Sequence, residues 1–267
     1  MSEVHIFTVG ASLILNLSRR VEEFREWLRT PPEDARQETY KEQAVPGNPL
    51  FDEALKSLEA DPRGYSAELN AFYGFMDLRK KPLGEAKVVL LSTDTGVGWF
   101  CSQALHCYLT KIGVPAETPR KIVGFGLGPE FFDKGLVNLL DEIAGIVRSA
   151  KGEGKRVYIN ATGGFKPESA FAVMSAFFFG ADAAYYIHEL FKEVVVLYPF
   201  PSTIESELVN NLIALEGKAP SDVGLIHHDK LGTLSLEDLQ DRGLVSVREG
   251  RVELRDWVKV LIKRFKA

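Results

Sequence analysis

The segment with the clearest chemical content is Asn160-Ala161-Thr162-Gly163-Gly164-Phe165-Lys166-Pro167-Glu168. Adjacent glycines let a backbone approach a ligand closely. A proline in the first turn fixes a helix start, where free N–H groups and the helix dipole favour an anion. Lys166 adds a mobile positive charge beside those donors, so the arrangement suits a phosphate. The same residues also read as a tight turn with a solvated lysine, and a Gly-Gly turn alone does not decide between the two. Two further turns carry polar residues at comparable places, Gly10-Ala11-Ser12 and Ser92-Thr93-Asp94-Thr95-Gly96. Thr93, Asp94 and Thr95 are candidates for ligand contact, and Thr93 or Thr95 is equally a candidate cap for the helix that follows. Ser12 reads in the same two ways. Asn160 is expected to hold the central turns together through backbone hydrogen bonds.

Such turns need a strand before them and a helix after them. Residues 4–9 read as a buried strand broken by Gly10. Leu17, Val21, Phe24 and Leu28 recur at helical spacing and predict one helix over 13–28. The stretch 30–64 holds Pro31, Pro32, Pro46, Pro49 and Pro62, and reads as an insertion with one or two short helices, one of them over 50–58. Ser66 suits the N-cap of another helix. Strands at 87–91, 121–125 and 156–159 then alternate with helices at 98–112, 133–150 and 167–179. Strands at 183–187 and 193–197 read as an antiparallel edge pair.

This alternation predicts an α/β fold, a Rossmann-like mostly parallel sheet with helices on both faces. Such sheets bind ligands at the carboxyl ends of their strands, and all three polar turns fall there. The expected organisation is a ligand-binding domain over 1–200 with the 30–64 insertion, a linker over 201–230, and a small winged-helix-like α+β unit over 231–267. That unit is expected to open with a helix at 234–239, turn a hairpin at Glu249-Gly250, and close with a helix over 256–265.

The 267 residues carry a formal charge of −5, from 32 basic and 37 acidic side chains. Proteins that wrap duplex nucleic acid usually carry a basic excess, so DNA is not the expected partner. The tail is locally basic, with seven Lys or Arg against Glu249, Glu253 and Asp256 over 248–266, which leaves a DNA-binding role open. The five histidines (His5, His106, His188, His227 and His228) are spread along the chain without metal-ligand spacing, so no metal or other cofactor is expected. Cys101 and Cys107 lie on different faces of one predicted helix and read as small buried residues of a reducing compartment. No run approaches the roughly 20 apolar residues of a membrane span. The first strand begins almost at once and leaves no room for a signal peptide. A cytoplasmic location is expected.

The stretch 158–189, with its Asn160 to Pro167 core, resembles the signature of CRISPR-associated Rossmann-fold (CARF) domains. Val9-Gly10-Ala11-Ser12-Leu13 followed by Asn16 is similar to the family's first turn, which commonly reads Gly-Thr-Ser; Ala11 stands here in place of the threonine. The 92–96 turn and Ser66-Ala67-Glu68 also resemble the family, and together these cover roughly residues 4–200. The resemblance implies a homodimer whose two-fold axis sets a cyclic oligoadenylate, such as cyclic tetra-adenylate, across both subunits. Gly10, Ala11, Thr93, Asp94, Thr95, Thr162, Gly163, Gly164 and Phe165 are the residues expected to contact it.

Some stand-alone members of that family are ring nucleases. In them, the resemblance implies, the ribose 2′-OH attacks the adjacent phosphate without metal and leaves a 2′,3′-cyclic phosphate. Ser12 would orient the ribose-phosphate and Lys166 would neutralise the transition state. The Arg and His pair that marks the ribonuclease domain of other family members is absent from the sequence. The alternatives are a cyclic-oligoadenylate-gated DNA-binding transcriptional regulator and a sensor that binds without cleaving.

Overall fold

Every residue of strand β1 (Glu3–Val9) is buried, as a strand covered on both faces must be. In the computed structural model, which describes residues 3–125, 131–164, 166–188, 193–199, 206–228, 232–255, 258–259 and 262, β1 lies at the centre of a six-stranded sheet. It pairs in parallel with β2 (Ala86–Thr93), and β2 with the short β3 (Arg120–Ile122). On its other side it pairs in parallel with β4 (Arg156–Asn160), and β4 with β5 (Ala183–Ile187). A final strand, β6 (Val194–Leu197), completes the order β3-β2-β1-β4-β5-β6. The link between β5 and β6 is too short for a parallel crossover, so β6 runs antiparallel; the His188 N–H bonds the Glu193 carbonyl at 2.8 Å.

Six helices lie between β1 and β2: α1 (Ser12–Leu17), α2 (Glu22–Arg29), α3 (Arg36–Glu42), α4 (Pro49–Ala60), α5 (Pro62–Tyr65) and α6 (Ala67–Leu78). The crossovers that follow are α7 (Gly96–Lys111), α8 (Phe132–Gly152) and α9 (Lys166–Phe178). Alternation along β1 divides the core in two. Val4 and Ile6 join Ile143 and Val147 of α8 and Ala172 and Ala176 of α9. His5 and Phe7 pack instead on Phe72 of α6, with ring centroids 5.2 and 5.4 Å apart. Helices therefore cover both faces, and the expected doubly covered α/β fold is what the chain forms.

Three local expectations are corrected. The single helix over 13–28 is two helices, because Ser18 returns its hydroxyl to the Leu15 carbonyl and the Arg20 and Val21 N–H groups both bond Leu17. A serine that satisfies backbone groups locally competes with helix continuation. The insertion holds three helices, with α4 capped by the Asn48 side chain and α5 by Asp61. It is packed, since its Phe51 meets Phe100 of α7 edge-on at 5.3 Å and its Tyr40 stacks on Trp27 of α2 at 4.3 Å. The third strand ends at Ile122, short of the expected 125; Gly124, at φ 126°, turns the chain away from the sheet. Both thiols are free, with Cys101 buried and Cys107 half-buried.

The chain divides into two compact units, Met1–Val196 and Leu197–Ala267. The second contains α10 (Ser206–Ile213), an antiparallel pair β7 (Ile226–His228) and β8 (Gly232–Leu234), α11 (Leu236–Asp241), and a hairpin of β9 (Val245–Arg248) and β10 (Arg251–Leu254). Its core joins Val209, Leu212 and Ile226 to Leu239 and Val252, so residues 206–228 are part of this unit. Ser235 and Asp238 form a capping box at α11. The helix expected over 256–265 falls largely outside the described residues. No helix among the described residues is long and apolar enough to cross a membrane.

At the amino end of β1, far from the strand ends that carry the polar turns, lies a buried ionic cluster. Glu3 meets Lys81 at 2.5 Å and Arg79 at 3.1 Å, and His5 donates to or accepts from the Tyr185 hydroxyl at 2.9 Å. Burial would raise the Glu3 carboxyl, but His5, Lys81 and Arg79 together hold it down at about 2. Burial keeps His5 neutral by pushing its pKa below 6.5. The unfolded chain takes up a proton on His5 near 6.5 that the fold refuses, so stability falls as pH drops through that value. Glu3 adds a second loss between 4.5 and about 2. Unfolding free energies from urea titrations at pH 7.5 to 5 are expected to fall for the native chain, with His5 contributing at most about 1.4 kcal/mol per pH unit and His106, also held below 6.5 by burial, adding to it. His5→Asn is expected to flatten that slope.

Candidate functional site

β1 and β4 are adjacent and parallel, and the strand order reverses between them. The turns that follow them, at Gly10 and Gly163, therefore flank the switch point where open α/β sheets bind ligands. They touch. A Cβ on Gly10 would stand 2.6 Å from the Gly164 nitrogen, and one on Gly163 would stand 2.6 Å from the Gly10 nitrogen. Gly164 has φ 91°, which a side chain would strain. The Thr8 hydroxyl at the end of β1 and the Ser169 hydroxyl of α9 each donate to the Gly163 carbonyl at 2.7 Å.

The third party to this contact is Glu68, in the first turn of α6 and 1% exposed. Its Oε1 accepts the Gly10 N–H at 2.8 Å, and its Oε2 accepts the hydroxyls of Ser12 at 2.6 Å and Ser66 at 2.8 Å. Ser12 also accepts the Ala67 N–H at 3.0 Å. Ser12 is the first residue of α1 and makes no cap for it. Its hydroxyl is instead fixed between α1 and α6. Ser66 caps α6, as expected, by accepting the Leu69 N–H. The Asn160 amide donates to the Glu68 backbone carbonyl at 2.8 Å, which ties β4 to α6. Thr8, a residue that the sequence did not single out, makes the direct stitch between the two glycine turns.

The β2 turn turns its polar groups inward. Thr95 caps α7 by accepting the Gly98 N–H, and the Thr93 hydroxyl lies 2.8 Å from that of Thr95. Asp94 accepts the Gly124 N–H at 2.9 Å. Gln37 of α3, 4% exposed, reaches across from the insertion, and its Oε1 accepts the N–H groups of Gly96 and Val97 at 2.8 and 3.3 Å. The first N–H groups of α7 are thus already satisfied by protein. A cavity of about 420 Å³ opens beside them, a size usual for small-molecule sites. Gly10, Ala11, Thr93, Thr95 and Gly164 line it together with Trp27, Thr30, Pro32 and Gln37. Trp27 is stacked on Tyr40 at 4.3 Å, which makes that wall rigid.

Lys166 is the first residue of α9 and is exposed. Thr162 faces back to Asn160, donating its hydroxyl to Oδ1 at 2.7 Å. Phe165 lies outside the described residues. Of the residues expected to touch a ligand, the structure gathers Gly10, Ala11, Thr93, Thr95 and Gly164 round the cavity, with Gly163 behind Gly10. Asp94 and Thr162 have their side chains engaged elsewhere. Among the described residues no group of three or more His, Cys, Asp or Glu side chains comes together. Gln37 lies in a stretch with no periodic signal, Trp27 falls inside the 13–28 helical repeat without being one of the residues that mark it, and a glutamate two residues past an N-cap serine reads from spacing alone as an ordinary helix start.

Because Glu68 and Thr8 fill the space beside Gly163, a methyl group there must push them. Gly163→Ala and Gly10→Ala are each expected to lower unfolding free energy by about 1–3 kcal/mol. Gly145, on α8, has open space around it; Gly145→Ala is expected to stabilise by up to about 1 kcal/mol. Chemical denaturation of the three variants checks the contrast.

The stretch from Arg63 to Phe200 matches a family model described as CRISPR-associated protein (Cas_APE2256). It takes in Glu68, the β2 turn and the Asn160 to Lys166 segment, and leaves the Ser12 turn outside it. The match spans more than half of the chain, which belongs to this family of CRISPR-associated proteins.

Proposed function

We propose that the chain is a ring nuclease of CRISPR signalling, binding cyclic oligoadenylate, in the first place cyclic tetra-adenylate, and cutting it without metal. The observation that carries this reading is the contact between the Gly10 and Gly163–Gly164 turns at the strand switch. Gly10, Ala11 and Gly164 of these turns line the ligand-sized cavity; Ser12 and Lys166 do not line it, but open the helices that follow the turns, α1 and α9. A phosphodiester suits the α9 start, where the helix dipole and Lys166 favour negative charge. Ser12 then faces the ribose. The 2′-OH attacks the neighbouring phosphorus in line and leaves a 2′,3′-cyclic phosphate, with Lys166 neutralising the charge that builds on the phosphate oxygens.

A homodimer completes the site in this reading. Ala170, Met174 and Phe178 follow Lys166 at four-residue spacing along α9, and Met174 and Phe178 are 69% and 83% exposed. Such an apolar stripe suits an isologous contact, which would bring two copies of Lys166 to a two-fold ring. The described part of the tail gives a DNA-binding reading less support, since the first turn of α11 carries Glu237 and Asp238.

The test is incubation with cyclic tetra-adenylate in EDTA, with products separated and weighed. Linear di-adenylate ending in a cyclic phosphate is expected. Ser12→Ala and Lys166→Ala are each expected to slow its formation by about 10²–10³-fold. Tight binding of an intact ring would contradict cleavage and leave a sensor.

A further inference from the structure

Ser12 has a hydroxyl but no basicity of its own, so ring cleavage through it needs somewhere for a proton to go. We propose that Glu68 is that destination: a positioning residue that draws the proton of the ligand's 2′-hydroxyl through Ser12. The inference rests on the ring-cleaving reading above.

A carboxylate only accepts, so the Ser12 hydrogen lies on the 2.6 Å line to Glu68 Oε2. A serine oxygen has two lone pairs, and the Ala67 N–H takes one of them at 3.0 Å. The second has no partner among the described residues. What Ser12 offers a ligand is therefore an acceptor. It suits a hydroxyl that must give up a proton and not a phosphate oxygen that seeks one. The Gly10 N–H is closed to phosphate for the same reason, because Glu68 Oε1 holds it at 2.8 Å. A buried negative charge between the turns also repels phosphate from this side. The site divides accordingly, with the ribose hydroxyl at Ser12 and the phosphate at Gly164 and the exposed Lys166.

In the step itself the 2′-oxygen forms its bond to phosphorus as its proton passes to Ser12 Oγ. The Ser12 proton passes to Glu68 Oε2 in the same movement. The bond from phosphorus to the 5′-oxygen breaks, and that oxygen leaves with the bonding pair and takes a proton from the Lys166 ammonium. Exchange with water returns Glu68 to the carboxylate and Lys166 to the ammonium. Glu68 is suited to this task by its setting: buried at 1% exposure, with Ser66 holding Oε2 from the far side at 2.8 Å, it cannot swing away from Ser12.

The experiment is single-turnover cleavage of cyclic tetra-adenylate in EDTA, with ring binding measured on the same samples. The full-length native chain, Glu68→Gln and Glu68→Asp are compared. Glu68→Gln is expected to bind the ring and to cleave about 10²–10⁴-fold more slowly. Glu68→Asp, which keeps a carboxylate on a shorter arm, is expected to cleave at an intermediate rate. A Glu68→Gln chain that cleaves at the native rate overturns the proposal and leaves the ring-nuclease reading intact. If Glu68→Gln does not fold, Glu68→Asp decides: slower cleavage with ring binding kept supports the relay, and cleavage at the native rate overturns it. A native chain that leaves the ring whole overturns the cleavage reading and this inference with it.

Discussion

Glu68 gathers three donors from two segments that stand far apart in the chain. The Gly10 N–H and the Ser12 hydroxyl come from the β1–α1 turn, and the Ser66 hydroxyl from the start of α6. A buried carboxylate without partners costs several kcal/mol, so these contacts are close to obligatory once Glu68 is inside. Gly163 has no side chain because the Glu68 Oε1 atom occupies the place where a Cβ would be, 2.2 Å away. One charge thus fixes the rotamer of Ser12, the entry of α6 and the closeness of the two glycine turns.

The sheet supplies the rest of the geometry. Parallel registers that pair Phe7 with Leu90 on one side and Asn160 on the other bring the ends of β1, β2 and β4 to one edge. Reversal of strand order between β1 and β4 opens the crevice there. The insertion adds a wall. Phe100 anchors it through Phe51, and Gln37 spends its side chain on the N–H groups of Gly96 and Val97. Anion binding at the head of α7 would have to displace that glutamine.

Much of the fold was legible in the sequence because its strands are continuous apolar runs. A strand such as Val88 to Leu91 has no polar face to confuse its reading, and βα alternation follows from it. The break at Ser18 was not legible, since Leu17 and Val21 keep helical spacing across it and only the serine's local bond to Leu15 ends the first helix. The turns around Ser12 and Gly163 were legible from their residue types. What joins them was not. Thr8 and Glu68 act across 155 and 56 residues, and nothing in local spacing reports a contact of that span. Gln37 was hidden for a different reason, because its role depends on how a proline-rich stretch packs and not on any period within it.

The central claim is that the two turns form half of a site for one two-fold ring. Calorimetric titration of the purified chain with cyclic tetra-adenylate, in EDTA and on the Glu68→Gln variant to hold back cleavage, measures this most directly. The account predicts saturation at one ring for every two chains, with weaker binding or none for Gly163→Ala, in which a methyl group prises the turns apart. Saturation at one ring per chain would contradict the shared site, and no heat at all would contradict the ligand.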